Sequence, residues 1–199
     1  EKARRMVMEL LLADQPPRAE TPDRDSRLWH WADEMGVTAG RLPGVERWQP
    51  DPSHPAMRVN LDACIQCTLC VRACREVQVN DVIGMAYRGH EAKIVFDQDD
   101  PMGGSTCVAC GECVQACPTG ALMPASIVDD RGIGDRSSDR KVESVCPYCG
   151  VGCRLTFHVE DNRIRYVTGA HGPANQNRPC AKGRFGPGYV HHQQRPTLP

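Results

Sequence analysis

Cysteines occur in this chain as two copies of one pattern, C-x2-C-x2-C-x3-C, with the second copy 43 residues after the first. The first run is Cys64, Cys67, Cys70 and Cys74, and the second run is Cys107, Cys110, Cys113 and Cys117. Val71 recurs as Val114, and a short β-type stretch precedes each run at residues 57–60 and 93–96. Each half is too small to bury much apolar surface alone, so the repeat predicts that the halves pair into one compact domain.

Clustered cysteines can form disulfides, zinc sites or iron–sulfur clusters. Disulfides are disfavoured because cysteines this close in one tight loop have poor bridging geometry and gain little loop-closure entropy. Zinc is an alternative, although zinc sites usually combine two separated C-x2-C pairs. Three regularly spaced cysteines plus a fourth are typical of 4Fe–4S ferredoxins, and the second run ends in Cys117-Pro118, as the bacterial motif does. The first run has Arg75 where that proline would stand. The spacing therefore favours iron–sulfur clusters.

A third set of cysteines has a different spacing, C-x2-C-x3-C and then a fourth cysteine after 26 intervening residues. Its members are Cys146, Cys149, Cys153 and Cys180. Apolar and polar residues alternate over residues 155–159, and Asp161-Asn162 then predicts the turn of a β-hairpin. The spacing alone suits a structural zinc ribbon or an iron–sulfur cluster. The three sets use all 12 cysteines, which leaves none as a catalytic nucleophile.

Charge and composition argue against two classes of function. The 199 residues include 24 basic and 25 acidic side chains, so the chain has no basic excess with which to bind nucleic acid. Its mean hydropathy is −0.47, and no apolar run approaches the ~20 residues that a membrane span requires. The 18 glycines, 16 prolines and 5% aromatic residues indicate a loop-rich chain with a small core.

The first 63 residues contain no cysteine and predict two helices. One covers residues 1–15, and the other covers residues 26–35 and ends at Gly36. The side chains expected on the inner face of the first helix are Val7, Leu10 and Leu11. The tryptophans expected as packing anchors are Trp29, Trp31 and Trp48.

Two segments carry a resemblance to a known family. Residues 146–153 read CPYCGVGC and residues 180–183 read CAKG, and together they resemble the N-terminal cluster motif of molybdopterin-dependent oxidoreductases. With a two-cluster domain before it, the chain most resembles the catalytic alpha subunit of cytoplasmic, NAD-linked formate dehydrogenases. The resemblance extends from about residue 55 to the last residue and covers the first 54 residues loosely.

These resemblances imply three 4Fe–4S clusters. In two-cluster ferredoxins the fourth cysteine of each run serves the other cluster. Applied here, the first cluster set is Cys64, Cys67, Cys70 and Cys117, and the second cluster set is Cys107, Cys110, Cys113 and Cys74. The third cluster set is Cys146, Cys149, Cys153 and Cys180. The family also implies that Lys182 lies between the third cluster and a molybdenum or tungsten bis(molybdopterin guanine dinucleotide) centre.

The chain departs from the family pattern in two places. Fuller family members have an upstream His/Cys3 cluster, but Gln15 stands about where its histidine would be and no cysteine is near. We therefore expect that cluster to be absent and residues 1–54 to be a degenerate helical remnant. The family's molybdenum-ligating cysteine or selenocysteine and its catalytic histidine and arginine lie further along than this sequence extends, so we expect no catalytic residue in this chain.

The predicted fold class is α+β, with a ferredoxin-like two-cluster domain and a small hairpin-containing 4Fe–4S subdomain. We expect a helical segment over residues 1–54, the two-cluster domain over 55–125, a linker over 126–141 and the third-cluster region over 142–199. The resemblance implies an electron-transfer region of a formate dehydrogenase that relays electrons from a pterin centre to flavin/NAD-binding and iron–sulfur partner subunits. It also implies formate and CO2 as the substrates of the full-length subunit, and a cytoplasmic location. The alternatives are a stand-alone ferredoxin-like carrier and the large iron–sulfur subunit of an NADH dehydrogenase.

Overall fold

The computed structural model describes residues 1–42, 44 and 48–196 as short helices and small antiparallel sheets. The described residues do not include 43, 45–47 and 197–199. Residues 197–199 are the end of the predicted third-cluster region. The chain forms two compact units. The first unit comprises residues 1–108 and 112–136, and the second comprises residues 109–111 and 137–199. Within the described residues, no helix has the length and apolar character that crossing a membrane requires.

The helices and strands are numbered in chain order. The helices are α1 (Lys2–Ala13), α2 (Arg27–Glu34), α3 (Leu69–Arg72), α4 (Glu112–Ala116) and α5 (Ala181–Phe185), and a π-helical turn (Ala73–Val77) follows α3 directly. The strands are β1 (Met57–Val59), β2 (Ile83–Ala86), β3 (Lys93–Phe96), β4 (Leu122–Pro124), β5 (Arg140–Val145), β6 (Arg154–Glu160) and β7 (Arg163–Gly169). Short 3-10 turns occur at Leu61–Ala63, Gly89–Glu91, Met102–Gly104, Ala125–Ile127 and Gly186–His191.

Two small sheets join the halves of the repeat in the first unit. Strand β1 pairs antiparallel with β4, with Met57 opposite Pro124, and β2 pairs antiparallel with β3, with Ile83 opposite Phe96. The strands predicted before each cysteine run are present as β1 and β3. The largest fully buried apolar side chains of this unit are Met57, Ile94, Met102, Leu122 and Met123. Each sheet takes one strand from each half, so the halves share one core.

The two predicted helices are present at the start of the first unit. Ser26 caps α2 by accepting a hydrogen bond from the backbone N–H of Trp29, and Gly36 follows the helix with φ +62°. The predicted inner face of α1 is wrong, because α1 buries Met8 and Leu12, whereas Val7 and Leu10 are exposed and Leu11 is only half-buried. Trp29 is buried as expected, but Trp31 is 54% exposed and is not a packing anchor. Trp48 is half-buried, and Nζ of Lys93 lies over the Trp48 ring, 4.9 Å from the ring centroid.

The N-terminal segment is bound to both cysteine runs. Ile65, in the first cysteine loop, packs against the apolar cluster that α1 and α2 form. The backbone N–H of Leu28 donates to the carbonyl oxygen of Pro118 at 3.0 Å. The buried Asp23 lies so close to Gly120 that a Cβ atom at Gly120 would overlap it. The φ of +82° at Gly120 also favours glycine. Residues 1–54 are therefore an integral part of the first unit.

A three-stranded antiparallel sheet in the order β5-β6-β7 dominates the second unit. The predicted hairpin is β6 and β7, joined through Asp161 and Asn162 with φ of 48° and 60°. Two successive positive φ values are those of a type I′ turn, which matches the twist of the strands. Strand β5 starts inside the segment predicted as a linker, and residues 126–136 of that segment belong to the first unit.

Candidate metal centres

The two cysteine loops have left-handed residues at the same two positions. Gln66 and Thr68 have φ of 55° and 59°, and the residues 43 positions later, Ala109 and Gly111, have φ of 56° and 75°. Left-handed residues between the cysteines curl each loop, which turns backbone N–H groups to one side and suits the binding of negatively charged groups. In the first loop the N–H of Gln66 donates to Sγ of Cys64 at 3.4 Å. A short helix, α3 or α4, then begins five residues after the first cysteine of each run.

The first cluster set converges in the structure. Its four thiols line one small cavity, which the apolar side chains of Ile94 and Leu122 help to enclose. Burial, together with smaller contributions from the neighbouring Cys117 and Cys67, raises the pKa of the Cys64 thiol to about 11. Burial and the neighbouring cysteines of the same set together raise the pKa of the Cys70 thiol to about 12, and burial is the largest cause. The fourth cysteine of the second run is therefore beside the first three cysteines of the first run.

This arrangement fits a 4Fe–4S cluster. Buried thiols with raised pKa values stay protonated unless a cation compensates the charge of the thiolates, and thiolate is the form that binds metal. An apolar enclosure with an N–H···S hydrogen bond is the environment in which iron–sulfur clusters are bound. The residues that would hold the cluster are the four of the first cluster set.

Two members of the second cluster set lie on elements that pack against each other. Cys113 lies in α4, and α4 packs against the π-helical turn that contains Cys74. Both thiols are buried, while Cys107 and Cys110 are half-buried. Sγ of Cys74 accepts a hydrogen bond of 3.4 Å from the N–H of Val82. The elements that carry Cys113 and Cys74 are thus neighbours, as crossed ligation requires.

The third cluster set also converges, within the second unit. Burial raises the pKa of the Cys153 thiol, and Cys146, Cys149 and Cys180 raise it further. The N–H of Cys146 donates to the carbonyl oxygen of Cys153 at 2.8 Å, which closes the loop between them. Gly183 of α5 lies close to Sγ of Cys146. A Cβ atom at this glycine would be 3.5 Å from that sulfur, in van der Waals contact. Leu155 and Val167 of the sheet pack beside Cys146.

No three His, Cys, Asp or Glu side chains among the described residues lie close enough together to hold a single metal ion. Each cysteine around a four-iron cluster binds a different iron atom, so a cluster site does not need three side chains around one ion.

Two buried polar residues near the cysteines were not predicted, because neither belongs to a recognisable sequence motif. Arg184, two residues after Lys182, is buried, and its Nε donates to the carbonyl oxygen of Cys110 at 3.3 Å. Thr119, two residues after Cys117, is fully buried beside that cysteine. Lys182 itself is exposed on α5, two residues after Cys180. A buried arginine and a buried threonine are recognisable only from the folded chain.

Comparison with known protein families agrees with this geometry. Residues 63–121 match the family model of the 4Fe–4S dicluster domain, and residues 139–192 match that of the molybdopterin oxidoreductase Fe4S4 domain. The second match contains the whole third cluster set. The resemblance that the two motifs predicted is therefore confirmed.

Similar proteins extend well beyond this chain. A Staphylococcus haemolyticus protein named "Putative formate dehydrogenase" is 29% identical over 181 residues, which are 73% of this chain and 18% of that protein. A Staphylococcus aureus protein of the same description is 29% identical over 211 aligned residues, 88% of this chain and 21% of that protein. The chain thus spans about a fifth of the length of the curated relatives it matches.

One solved structure is also similar to this chain. A chain of an NAD+-reducing [NiFe]-hydrogenase in the H2-reduced state is similar, with a TM-score of 0.55 and 26% identity. The similarity covers 62% of this chain and 54% of that one. Sequence, geometry and comparisons agree that this chain contains a 4Fe–4S dicluster domain followed by a molybdopterin oxidoreductase Fe4S4 domain.

Proposed function

We propose that this chain is the electron-transfer region of a formate dehydrogenase catalytic subunit, in which three 4Fe–4S clusters connect a molybdenum or tungsten pterin centre with a flavin/NAD-binding partner subunit. The observation that carries the proposal is the convergence of the first cluster set, drawn from both runs, around one small cavity. When bound, each cluster accepts and releases an electron. The second and third cluster sets would hold the other two clusters.

The protein's own residues set the environment of these sites. Apolar side chains such as Ile94 and Leu122 restrict solvent access to the first cluster set, and access of solvent is one determinant of cluster potential. Backbone N–H groups donate to Sγ of Cys64 and Cys74 and so offset part of the thiolate charge. Lys182, exposed beside the last cysteine of the third set, would reach from that cluster to the pterin.

Two alternatives were a stand-alone ferredoxin-like carrier and the large subunit of an NADH dehydrogenase. The match of residues 139–192 to the molybdopterin oxidoreductase Fe4S4 domain favours the formate dehydrogenase assignment over both. The similarity to a chain of an NAD+-reducing hydrogenase supports partner subunits that exchange electrons with NAD. We infer a cytoplasmic complex that includes an iron–sulfur partner subunit and converts formate and CO2 in its full-length form.

Metal content tests the proposal. After anaerobic purification we expect about 12 iron atoms and a matching amount of acid-labile sulfide per chain, because the 12 cysteines form three sets of four. Removal of the clusters should also lower the free energy of unfolding of residues 56–125, since cluster binding and folding are coupled in a domain with so small a core. Zinc in place of iron, or iron without sulfide, would contradict the proposal.

A further inference from the structure

Thr119 lies beside one thiol of the first cluster set. Its side chain is 1% exposed and lines the same cavity as the four cysteines. Its Oγ1 is 3.5 Å from Sγ of Cys117, within hydrogen-bonding distance for sulfur. This position is inside the first unit, where the chain turns from Cys117 through Pro118 into strand β4.

The direction of this hydrogen bond follows from the other partner of the hydroxyl. The backbone N–H of Ala121 donates to Oγ1 of Thr119 at 3.4 Å, so that oxygen already serves as an acceptor. A metal-bound Cys117 is a thiolate and has no proton to give. The Thr119 hydroxyl proton is therefore the one that lies between the two atoms, and the hydroxyl donates to sulfur.

The need for such a donor arises from the residue between them. Pro118 has no backbone N–H, so the peptide that follows Cys117 cannot donate to its sulfur. At the equivalent place in the other run, Sγ of Cys74 receives a backbone N–H, from Val82. The residue 43 positions before Thr119 is Glu76, whose carboxylate instead pairs with Arg72 at 3.0 Å. The two runs therefore differ here, because a hydroxyl lies beside Cys117 whereas the matching position after Cys74 carries a carboxylate.

We propose that Thr119 is a positioning residue that raises the reduction potential of the cluster held by Cys64, Cys67, Cys70 and Cys117. Hydrogen bonds to the cluster sulfurs withdraw negative charge and so favour the more negative, reduced state. The effect acts on the cluster of the first run although Thr119 follows the second run. This inference rests on the proposed function, because it requires a cluster at that site.

The test compares hydroxyl and non-hydroxyl variants of the complete, cluster-loaded protein in redox titrations monitored by electron paramagnetic resonance. Thr119→Val keeps the shape and removes the hydroxyl. At a fixed ambient potential we expect it to lower the ratio of reduced to oxidised cluster by about tenfold, which is about 59 mV for a one-electron couple. Only one signal should shift, the signal that a Cys64→Ala variant loses. The other clusters should titrate as in the unaltered protein.

A second pair of variants separates the hydroxyl from packing. Thr119→Ser and Thr119→Ala both lose the methyl group, but only the serine retains a donor, so we expect the serine variant to titrate at a higher potential than the alanine variant. This pair decides the question if Thr119→Val loads iron poorly. Equal potentials in both pairs, with iron and sulfide at full content, would overturn this inference and leave the proposed function standing. An unaltered protein without iron and sulfide would overturn both.

Discussion

Asp23 accepts a hydrogen bond of 2.8 Å from Nε of Arg136, although 113 residues separate them. The Asp23 side chain is 8% exposed and that of Arg136 is 29% exposed. The pair joins the N-terminal segment to the end of the first unit, next to the buried residues Thr21 and Pro22. The pair therefore links two distant parts of the chain, and no sequence motif indicates that they are in contact.

Arg136→Ala should destabilise the protein by about 2–3 kcal/mol, because it leaves the buried Asp23 carboxylate without its guanidinium. Arg131→Ala is the matched control, since its pair with Asp129 is exposed and should contribute less than about 1 kcal/mol. Urea unfolding of both variants in their metal-loaded form measures the difference. Equal midpoints would show that the Asp23–Arg136 pair contributes no more than a surface pair.

Crossed ligation predicts which cluster each fourth cysteine serves. Cys117→Ala should damage the cluster of Cys64, Cys67 and Cys70, because the four thiols line one cavity. Cys74→Ala should damage the cluster of Cys107, Cys110 and Cys113. Electron paramagnetic resonance identifies the signal that is lost or converted to a three-iron form. If each variant instead affects the cluster of its own run, the proposed ligand sets are wrong.

Gly111→Ala should be more destabilising than an ordinary glycine substitution. Gly111 has φ +75°, and a Cβ atom there would overlap Cδ of the buried Arg184. Gly89→Ala is the matched control, because Gly89 has φ +62° with open space around it. We expect about 1–2 kcal/mol of destabilisation for Gly89→Ala from backbone strain and a further loss of about 1–3 kcal/mol for Gly111→Ala from the overlap. Thermal unfolding that ranks Gly89→Ala as the more damaging change would refute this account.

Alkaline pH should destabilise the metal-free, reduced protein. The pKa values of Cys64 and Cys70 rise from 9.0 to about 11 and about 12 on burial, so the folded state keeps these thiols protonated. Their contribution to stability is fully present below pH 9.0 and is lost as the pH rises towards the folded values, because the unfolded chain ionises first. Urea midpoints at about pH 8 and about pH 10 measure the loss. A double Cys64→Ala/Cys70→Ala variant should lose less between these pH values, and an equal loss would contradict the assignment.

Lys182→Met in the full-length subunit should leave cluster content intact and reduce turnover at least ~10-fold, equivalent to ~1.4 kcal/mol of barrier. The methionine keeps an apolar stem but removes the charge and the three donors. Rapid-mixing experiments should show slower reduction of the third cluster. Lys141→Met, at an exposed position of strand β5, is the control and should turn over normally. Normal turnover of the loaded Lys182→Met variant would make Lys182 an ordinary surface charge.

The sequence predicts best those features that depend on local spacing. The cysteine spacing indicated the metal-binding loops, and Asp161-Asn162 indicated the hairpin, because two residues that tolerate positive φ are what a two-residue turn needs. Gly36, which was expected to end the second helix, is likewise a local signal, and it follows α2 with φ +62°. Each of these depends on a few adjacent residues and needs no knowledge of the rest of the fold.

Features set by tertiary contacts could not be predicted in the same way. Residues 6–12 of α1 are apolar around most of the helix, so the pattern did not select Met8 and Leu12; packing against α2 did. Strand β5 is exposed along its whole length, so its sequence has no alternation of buried apolar and exposed polar residues that would predict a strand. Its hydrogen bonds to β6 define it. The contact of Thr119 with Cys117 and its place in the cavity of the first cluster set exist only in the folded chain.

The pairing of β1 with β4 has a consequence for synthesis of the protein on the ribosome. Strand β1 ends at Val59, but its partner ends at Pro124, and the cavity of the first cluster set lacks Cys117 until almost all of that interval is translated. At ~5–20 residues per second this delay is roughly 3–13 s. During it the nascent chain carries reduced thiols that neither a folded core nor a complete ligand set protects. Correct maturation therefore depends on a reducing environment at the moment of translation, before any cluster can be inserted.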